Sequence, residues 1–286
     1  MNMKRLIALA LALVLSLALA ACGSGAAPSP SASAPAESAP TESASAESDL
    51  DYVKGKGALV IGYTVYAPMN YTDDNGEFTG FDTELAKAVC EKLGVEPQFQ
   101  EIVWETKEIE LAGKTIDCIW NGMTLDPERE ANMACTVPYV KNAQVVVMKA
   151  DADYADTSSL IGKSVCAEVG SAGETQILGN EETKPDANLA QADYVGKSVQ
   201  TDCLMEVAAG TCDAAVLDMT LANAMIGEGT DYAGLKIVDE LAVENYGVAF
   251  RQGSDVRDAV NEIFADMVAD GSLGALADKY GLELAD

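Results

Sequence analysis

The chain of 286 residues contains 46 acidic and 18 basic side chains, a formal net charge of −28, and no histidine. A chain this acidic repels phosphate groups, which excludes nucleic-acid binding. The absence of histidine excludes His-based catalytic triads and most zinc sites, so we expect no metal and no cofactor. We also expect a monomer, because the charge opposes self-association.

The first segment, residues 1–21, has the pattern of a secretory signal peptide. Lys4 and Arg5 precede an apolar run that is too short to span a membrane, and small residues follow. The run 19–22 (LAAC) resembles a bacterial lipobox, in which cleavage leaves a lipidated Cys22 at the new N-terminus. An ordinary signal peptide with an incidental cysteine is the alternative. The prediction is a lipid-anchored protein on the extracytoplasmic face of a bacterial membrane.

Residues 22–49, from the lipidated cysteine onward, form the next segment. It is made almost wholly of Ser, Ala, Pro, Gly and Glu. Such a composition buries too little apolar surface to offset the entropy of ordering, so we predict a disordered linker.

Six cysteines follow Cys22, and none forms a C-x-x-C pair. Several lie inside apolar runs, which favours small buried hydrophobic residues over a disulfide framework. The pair Cys203 and Cys212 is close enough in sequence to remain a candidate disulfide.

The folded part opens with an alternation of strands and helices. A β-branched run at Ala58–Tyr63 predicts a strand, and Asn-Gly within 73–77 predicts a hairpin turn. Asp82 is predicted to cap a helix that Gly94 ends. Strands are expected at 98–103 and 115–120, with a short helix between them ending near residue 113. This alternation predicts an α/β fold with a mixed or parallel sheet.

A second unit repeats this order. A strand is predicted at Ser164–Glu168, a helix opens after residues 170–174, and another helix ends near residue 210 before a strand at 212–217. Ligands of open α/β sheets bind beyond the carboxyl ends of the strands. Two such units facing each other predict a cleft lined by the strand ends of both.

Eight short runs, in order and at consistent spacing, resemble the polar-amino-acid-binding proteins of ABC importers, family 3 of the extracellular solute-binding proteins. They are 62–69 (GYTVYAPM), 80–86 (GFDTELA), 116–124 (IDCIWNGMT), 128–129 (ER), 138–139 (PY), 170–174 (GSAGE), 213–218 (DAAVLD) and 246–249 (YGVA).

The resemblance implies a two-lobed type 2 periplasmic-binding-protein fold with a hinged interlobe cleft. Lobe 1 would comprise residues 50–142 and 246–286, and lobe 2 residues 146–242, with crossings near 142–145 and 243–246. It also implies capture of a free amino acid, delivery to the membrane subunits of an ABC permease, and no enzymatic activity.

The two charged groups of an amino acid need opposite partners. A carboxylate is suited to a bidentate guanidinium and free backbone N–H groups, for which Arg129 and the helix start at Ser171 and Ala172 are the candidates. An ammonium is suited to a carboxylate and neutral oxygens, which Asp218, the Gly122 backbone and the Thr124 hydroxyl offer. The alternatives are a surface salt bridge for Arg129 and a helix cap for Asp218.

The resemblance places aromatic rings against the ligand side chain at Tyr66 and Trp104, with Trp120 and Asn121 next in sequence to the site. Glu168 ends a strand at the position where the family approaches the ligand side chain. A carboxylate beside aromatic faces suits a cationic group, which favours arginine or lysine over glutamine or cystine. Residues 63–65 (YTV) depart from the family pattern, because related binders of cationic amino acids often carry an acid there.

Two other classes of function remain open. The same fold supports periplasmic dehydratases that act on prephenate-like substrates, for which Glu168 or Glu174 would be the general acid. A sensory or adhesive role at the cell surface would leave the cleft without a purpose.

Overall fold

A computed structural model describes residues 48–286. The predicted signal segment, the predicted lipidation site Cys22 and all but the end of the predicted linker lie outside the described residues. The first helix begins at Asp49, with Ser48 as its N-cap.

Nine helices occur between residues 48 and 286. They are α1 Asp49–Lys56, α2 Phe81–Leu93, α3 Lys107–Ala112, α4 Pro127–Asn132, α5 Ala172–Leu178, α6 Gln200–Ala209, α7 Met219–Met225, α8 Val256–Ala269 and α9 Ser272–Tyr280. Short 3₁₀ turns precede α3 at Trp104–Thr106 and occur at Thr157–Leu160 and Leu189–Gln191.

Eleven strands occur in the same part of the chain. They are β1 Ala58–Tyr63, β2 Tyr71–Thr72, β3 Phe78–Thr79, β4 Glu96–Glu101, β5 Cys118–Thr124, β6 Ala134–Cys135, β7 Val140–Lys149, β8 Ser164–Glu168, β9 Asp193–Lys197, β10 Ala214–Asp218 and β11 Leu235–Phe250. The predicted hairpin turn is confirmed, because β2 and β3 pair across residues 73–77.

The main sheet is mixed, in the order β4-β1-β5-β11-β7-β10-β8-β9, with β6 beside β11. At one end β4, β1 and β5 are parallel, and at the other β10, β8 and β9 are parallel. The two long strands β7 and β11 are antiparallel to each other and join the halves. The fold is therefore a mixed α/β structure whose two halves are connected by extended backbone, as predicted.

The joining strands serve both halves of the sheet in turn. β11 pairs with β7 over residues 235–246 and with β5 over residues 246–250, while β7 pairs with β10 over residues 144–148. β11 therefore exchanges β7 for β5 at residue 246, whereas β7 pairs with β11 along its length and gains β10 as a second neighbour from residue 144.

For helix α2, the predicted end is correct and the predicted N-cap is wrong. It ends at Gly94, whose φ of 75° is the left-handed conformation that glycine adopts at little cost. Asp82, however, does not cap it, because the helix begins at Phe81 after Gly80. The buried Asp82 carboxylate instead accepts hydrogen bonds from the Gly122 N–H and the Tyr139 hydroxyl.

The cysteines after the linker are free thiols. Five of the six are buried, and Cys135 is half-buried. Cys203 and Cys212, the candidate disulfide pair, are both free thiols, and both side chains pack in the same apolar core. Within residues 48–286 no helix has the length and apolar character needed to cross a membrane.

Candidate functional site

The carboxyl ends of three strands meet at a common cavity. β5 contributes from one half of the sheet, and β8 and β10 contribute from the other. The lining residues of the cavity are Trp104, Asn121, Gly122, Thr124, Arg129, Glu168, Ser171, Ala172, Gln200 and Asp218.

Arg129 lies at the basic end of this cavity. Helix α4 is capped by the Asp126 side chain, which accepts from the Arg129 backbone N–H at 2.8 Å, and proline at the first helical position fixes the entry. The guanidinium then donates to the Thr124 carbonyl at 2.8 Å and lies 3.2 Å from the Asp126 carboxylate. The helix start therefore directs a buried cation into the cavity.

One backbone carbonyl receives the donors of the basic end. The Gly170 oxygen, just after β8, accepts from Arg129 Nη2, Trp104 Nε1 and Lys107 Nζ, each at 3.1 Å. The Trp104 ring also lies beside both cations, 4.8 Å from Lys107 Nζ and 5.9 Å from Arg129 Cζ. These contacts join the first half of the fold to the second.

Lys107 is buried beneath this carbonyl. Burial, followed by repulsion from Arg129, lowers the pKa of its ammonium to about 8. A lysine held in such a place loses much of its charge above neutral pH.

Glu168 begins the acidic end of the cavity. It is the last residue of β8, is only 4% exposed, and its Oε1 has no hydrogen-bond partner among the described residues. Burial, followed by the charge of Asp218, raises the pKa of Glu168 to about 8, although Lys107 opposes this rise. A buried acceptor without a partner is costly, which points to a ligand donor at this oxygen.

Asp218 ends β10 on the same side. It occupies the N-cap position of α7, but its side chain makes no capping bond. Its carboxylate accepts instead from the amides of Asn142 at 2.8 Å, Gln144 at 2.6 Å and Gln200. The helix-cap alternative therefore does not describe this side chain.

A third carboxylate, Glu244 on β11, adjoins Asp218. It accepts from the Thr124 hydroxyl at 2.7 Å, from Asn142 Nδ2 at 2.6 Å and from Gln144 Nε2 at 2.9 Å. Burial and the nearby Asp218 raise the pKa of Glu244 to about 7, and burial raises the pKa of Asp218 as well.

Asn121 and Gly122 form the wall between the two ends. The Asn121 amide is held by the Thr64 N–H at 3.0 Å, the Thr64 hydroxyl at 2.7 Å and Asn70 Nδ2 at 2.9 Å. Gly122 has a φ of 54°, and a Cβ there would come within 2.8 Å of the Tyr66 ring. The wall is thus fixed by polar contacts and by the absence of a side chain.

Ser171 and Ala172 line the second half of the cavity at the start of α5. The Ser171 hydroxyl accepts from the Glu174 N–H at 3.1 Å, and Glu174 in turn accepts from the Gly170 N–H at 2.7 Å. This reciprocal cap orders the loop that carries the Gly170 carbonyl. Glu174 is occupied in that cap and does not line the cavity.

Two of the predicted aromatic contacts lie elsewhere. Trp120 is fully buried and packs its ring against Phe264 at 5.9 Å, because neighbouring side chains on β5 point to opposite faces of the sheet and Asn121 takes the cavity side. Our placement of Trp120 at the site was wrong. Tyr66 lies behind Gly122, with its hydroxyl bonded to that of Tyr246, and does not line the cavity.

Several polar residues of the site were missed in the sequence. They are Lys107, Asn142, Gln144, Gln200 and Glu244. Asn142 and Gln144 alternate inside the otherwise apolar β7, and two buried amides spaced by two residues at a predicted crossing were the available signal. Lys107 and Gln200 lie at the starts of amphipathic helices, where polar residues are ordinary.

No group of His, Cys, Asp or Glu side chains between residues 48 and 286 is arranged to hold a metal ion. Asp218 and Glu244 accept from amide and hydroxyl donors instead.

Comparison with known proteins decides the family. Residues 59–283 match the model of the bacterial extracellular solute-binding proteins, family 3. The chain belongs to this family. The fold, with two half-sheets joined by two strands, is accordingly that of the periplasmic binding proteins.

Three curated relatives show the range of ligands among similar proteins. The arginine-binding extracellular protein ArtP of Bacillus subtilis is 28% identical over 79% of this chain and 87% of its own length. The L-cystine-binding protein TcyJ of Escherichia coli is 29% identical over 81% and 85%. The histidine-binding periplasmic protein of E. coli is 30% identical over 75% and 84%.

Solved structures give the same fold. A mutant of ArgBP from T. maritima aligns with a TM-score of 0.73 at 29% identity, covering 81% of this chain and 98% of the other. The ancestral amino acid-binding protein AncCDT-1, described as a precursor of cyclohexadienyl dehydratase, aligns with a TM-score of 0.72 at 28% identity, covering 82% and 99%.

Proposed function

We propose that the protein captures a free cationic amino acid, arginine or lysine, outside the cytoplasm and delivers it to an ABC permease. The observation that carries this proposal is the buried Oε1 of Glu168, which lacks a partner among the described residues and belongs to a side chain lining the cavity with Arg129 and Asp218. Relatives that bind arginine or histidine support the same class of ligand.

Each charged group of the ligand has a partner in this scheme. The α-carboxylate binds the Arg129 guanidinium, and the α-ammonium binds Asp218 with help from the Thr124 hydroxyl. The guanidinium or ammonium of the ligand side chain binds Glu168, with its stem against the Trp104 ring. The lining residues comprise two acids, Glu168 and Asp218, and one cation, Arg129. Each of the three charged groups of arginine or lysine therefore has a partner, whereas an amino acid with a neutral side chain leaves one acid without a partner.

The test is a thermal-shift screen of the mature protein against the common amino acids and L-cystine, followed by calorimetry. A ligand that binds only the folded state raises the melting temperature, so arginine and lysine should give the largest shifts. A preference for glutamine or cystine with no response to arginine and lysine would overturn the cationic assignment. The relative TcyJ makes cystine the first alternative to measure.

We further propose that the protein is anchored by lipid at Cys22. Cys22→Ala should release the protein from membranes into the soluble fraction, and mass spectrometry of the native form should show a modified N-terminal cysteine.

We also propose two lobes, one formed by residues 50–142 and 246–286 and the other by residues 146–242. Ligand contacts made from both lobes favour closure, so small-angle scattering should show a smaller radius of gyration with L-arginine. An unchanged radius at saturation would contradict hinged closure.

We propose no catalytic activity. The periplasmic dehydratase remains the second candidate because Glu168 carries a raised pKa of about 8, which suits a general acid, and because AncCDT-1 aligns with this fold. Incubation with prephenate should give no phenylpyruvate. Detectable turnover that Glu168→Gln abolishes would replace the binding assignment.

A further inference from the structure

Two carboxylates of the site share the same donors. Asp218 Oδ1 and Glu244 Oε1 both accept from Asn142 Nδ2, at 2.8 and 2.6 Å, and both accept from Gln144 Nε2, at 2.6 and 2.9 Å. The two oxygens therefore face each other across a pair of neutral amides. No cation bonds either carboxylate in the described part of the chain.

Two buried carboxylates this close do not both ionise at little cost, so such pairs retain a proton. Amide donors reduce the cost of each charge but do not cancel the repulsion between them. Glu244 adds a hydrogen bond from Thr124, and Asp218 adds one from Gln200. Every donor that the two carboxylates have in residues 48–286 is thus a neutral group.

We propose that Asp218 and Glu244 hold one proton between them in the ligand-free protein and release it to solvent when the ammonium group of an amino acid binds at Asp218. The proposal rests on the proposed function, because it needs an ammonium as the incoming cation. Charge balances in the exchange: one proton leaves the pair and one ammonium takes its place. Ligand capture is then coupled to pH.

The pKa values of both acids are raised, in the direction the geometry requires. The other charged or titratable groups facing the pair are Glu168 from β8, Arg129 from α4, and the hydroxyls of Tyr66 and Tyr246. Burial holds the pKa of each tyrosine well above its usual range, so both stay neutral. The Arg129 guanidinium is bonded to two carbonyls and lies 3.2 Å from the Asp126 carboxylate.

Glu168 titrates in the same region of pH, so its contribution must be removed. The background is therefore Glu168→Gln, and the comparison is this variant against Glu168→Gln with Glu244→Gln. Calorimetry with L-arginine at pH 6, in two buffers of different ionisation enthalpy, counts the protons released. We expect close to one proton for the single variant and close to zero for the double variant.

A second measurement needs no ligand. An acid whose folded pKa is raised contributes stability that is present below its ordinary pKa and is lost as pH rises through the folded value, here about 7 for Glu244. The melting temperature of the ligand-free single variant should therefore fall between pH 5.5 and 8.5 more steeply than that of the double variant. Asp82, whose pKa burial raises to about 7, is common to both and cancels in the difference.

Equal slopes in the two variants, or equal proton release, would overturn the shared proton. A slope difference between the variants, together with no binding of L-arginine by the native protein, would support the shared proton and overturn the proposed function instead. If Glu244→Gln does not fold, Asp218→Asn in the Glu168→Gln background removes the other carboxylate of the pair. It should reduce the slope of melting temperature against pH by the same amount.

Discussion

The buried charged groups at the two ends of the cavity have different hydrogen-bonding partners. At the basic end, Arg129 and Lys107 donate to backbone carbonyls, and Gly170 receives both. Arg129 also has the Asp126 carboxylate at 3.2 Å. At the acidic end, Asp218 and Glu244 accept only from amides and a hydroxyl, and Glu168 Oε1 has no partner among the described residues.

The consequence differs because of the number of like charges. At the basic end, burial and then repulsion from Arg129 lower the pKa of Lys107 to about 8, so one of the two cations loses its proton above that pH. At the acidic end, burial and then repulsion from Asp218 raise the pKa of Glu168 to about 8 and that of Glu244 to about 7. The acidic end retains more charge to be neutralised, and an added cation therefore gains more there than an added anion gains at the other end.

The largest expected effect tests the basic end. Arg129→Ala should weaken L-arginine binding by roughly 2–5 kcal/mol, because the ligand carboxylate would be buried without its charged partner. Calorimetry measures the loss. The matched control is Arg257→Ala, since Arg257 lies at the surface beside Asp258 and should leave affinity unchanged. Near-native affinity of Arg129→Ala would remove this residue from the site.

The next effect tests the acidic end. Glu168→Gln should weaken L-arginine and L-lysine more than L-glutamine by about 1.5–3 kcal/mol, the range for hydrogen bonds to charged groups. The exposed Glu105 provides the control Glu105→Gln, which removes an acidic side chain without reaching the cavity. Equal losses of affinity for cationic and neutral ligands would show that Glu168 does not recognise the charge of the ligand side chain.

Most of the fold could be predicted because its signals are local. The strand at Ala58–Tyr63, the turn at 73–77 and the helix end at Gly94 depend on residues within a few positions. We placed Trp120 at the site because it is close in sequence to other site residues. Neighbouring side chains of a strand point to opposite faces, and which face of β5 meets the core is set by its packing in the sheet. We predicted that strand at 115–120, whereas it runs from Cys118 to Thr124.

Residues of the cavity could be predicted where the type and position of one residue were enough to suggest its role. Arg129 and Asp218 were identified from residue type and strand ends, and both line the cavity. Glu244 and Gln144 come from strands that join the halves, and their contact depends on the register of β7 against β11. A register between residues about a hundred positions apart is a tertiary property, which no local pattern contains.

The smallest expected effect connects the two ends. Lys107 opposes the rise in the pKa of Glu168, so Lys107→Met should raise that pKa further above about 8. A carboxylate is protonated below its pKa, and only the ionised form pairs with a guanidinium. The variant should therefore bind L-arginine more weakly than the native protein at pH 7, by up to about tenfold if the pKa of Glu168 rises by one.

The same variant should lose its defect at high pH. At pH 9.5 Glu168 is ionised in both proteins, and Lys107, with its pKa of about 8, is neutral in the native protein, so the two affinities should converge. Calorimetry at the two pH values measures the difference, with Lys184→Met at an exposed position as control. An equal loss at both values would show that Lys107 acts only through its hydrogen bond to Gly170, and that the two ends of the cavity are electrostatically independent.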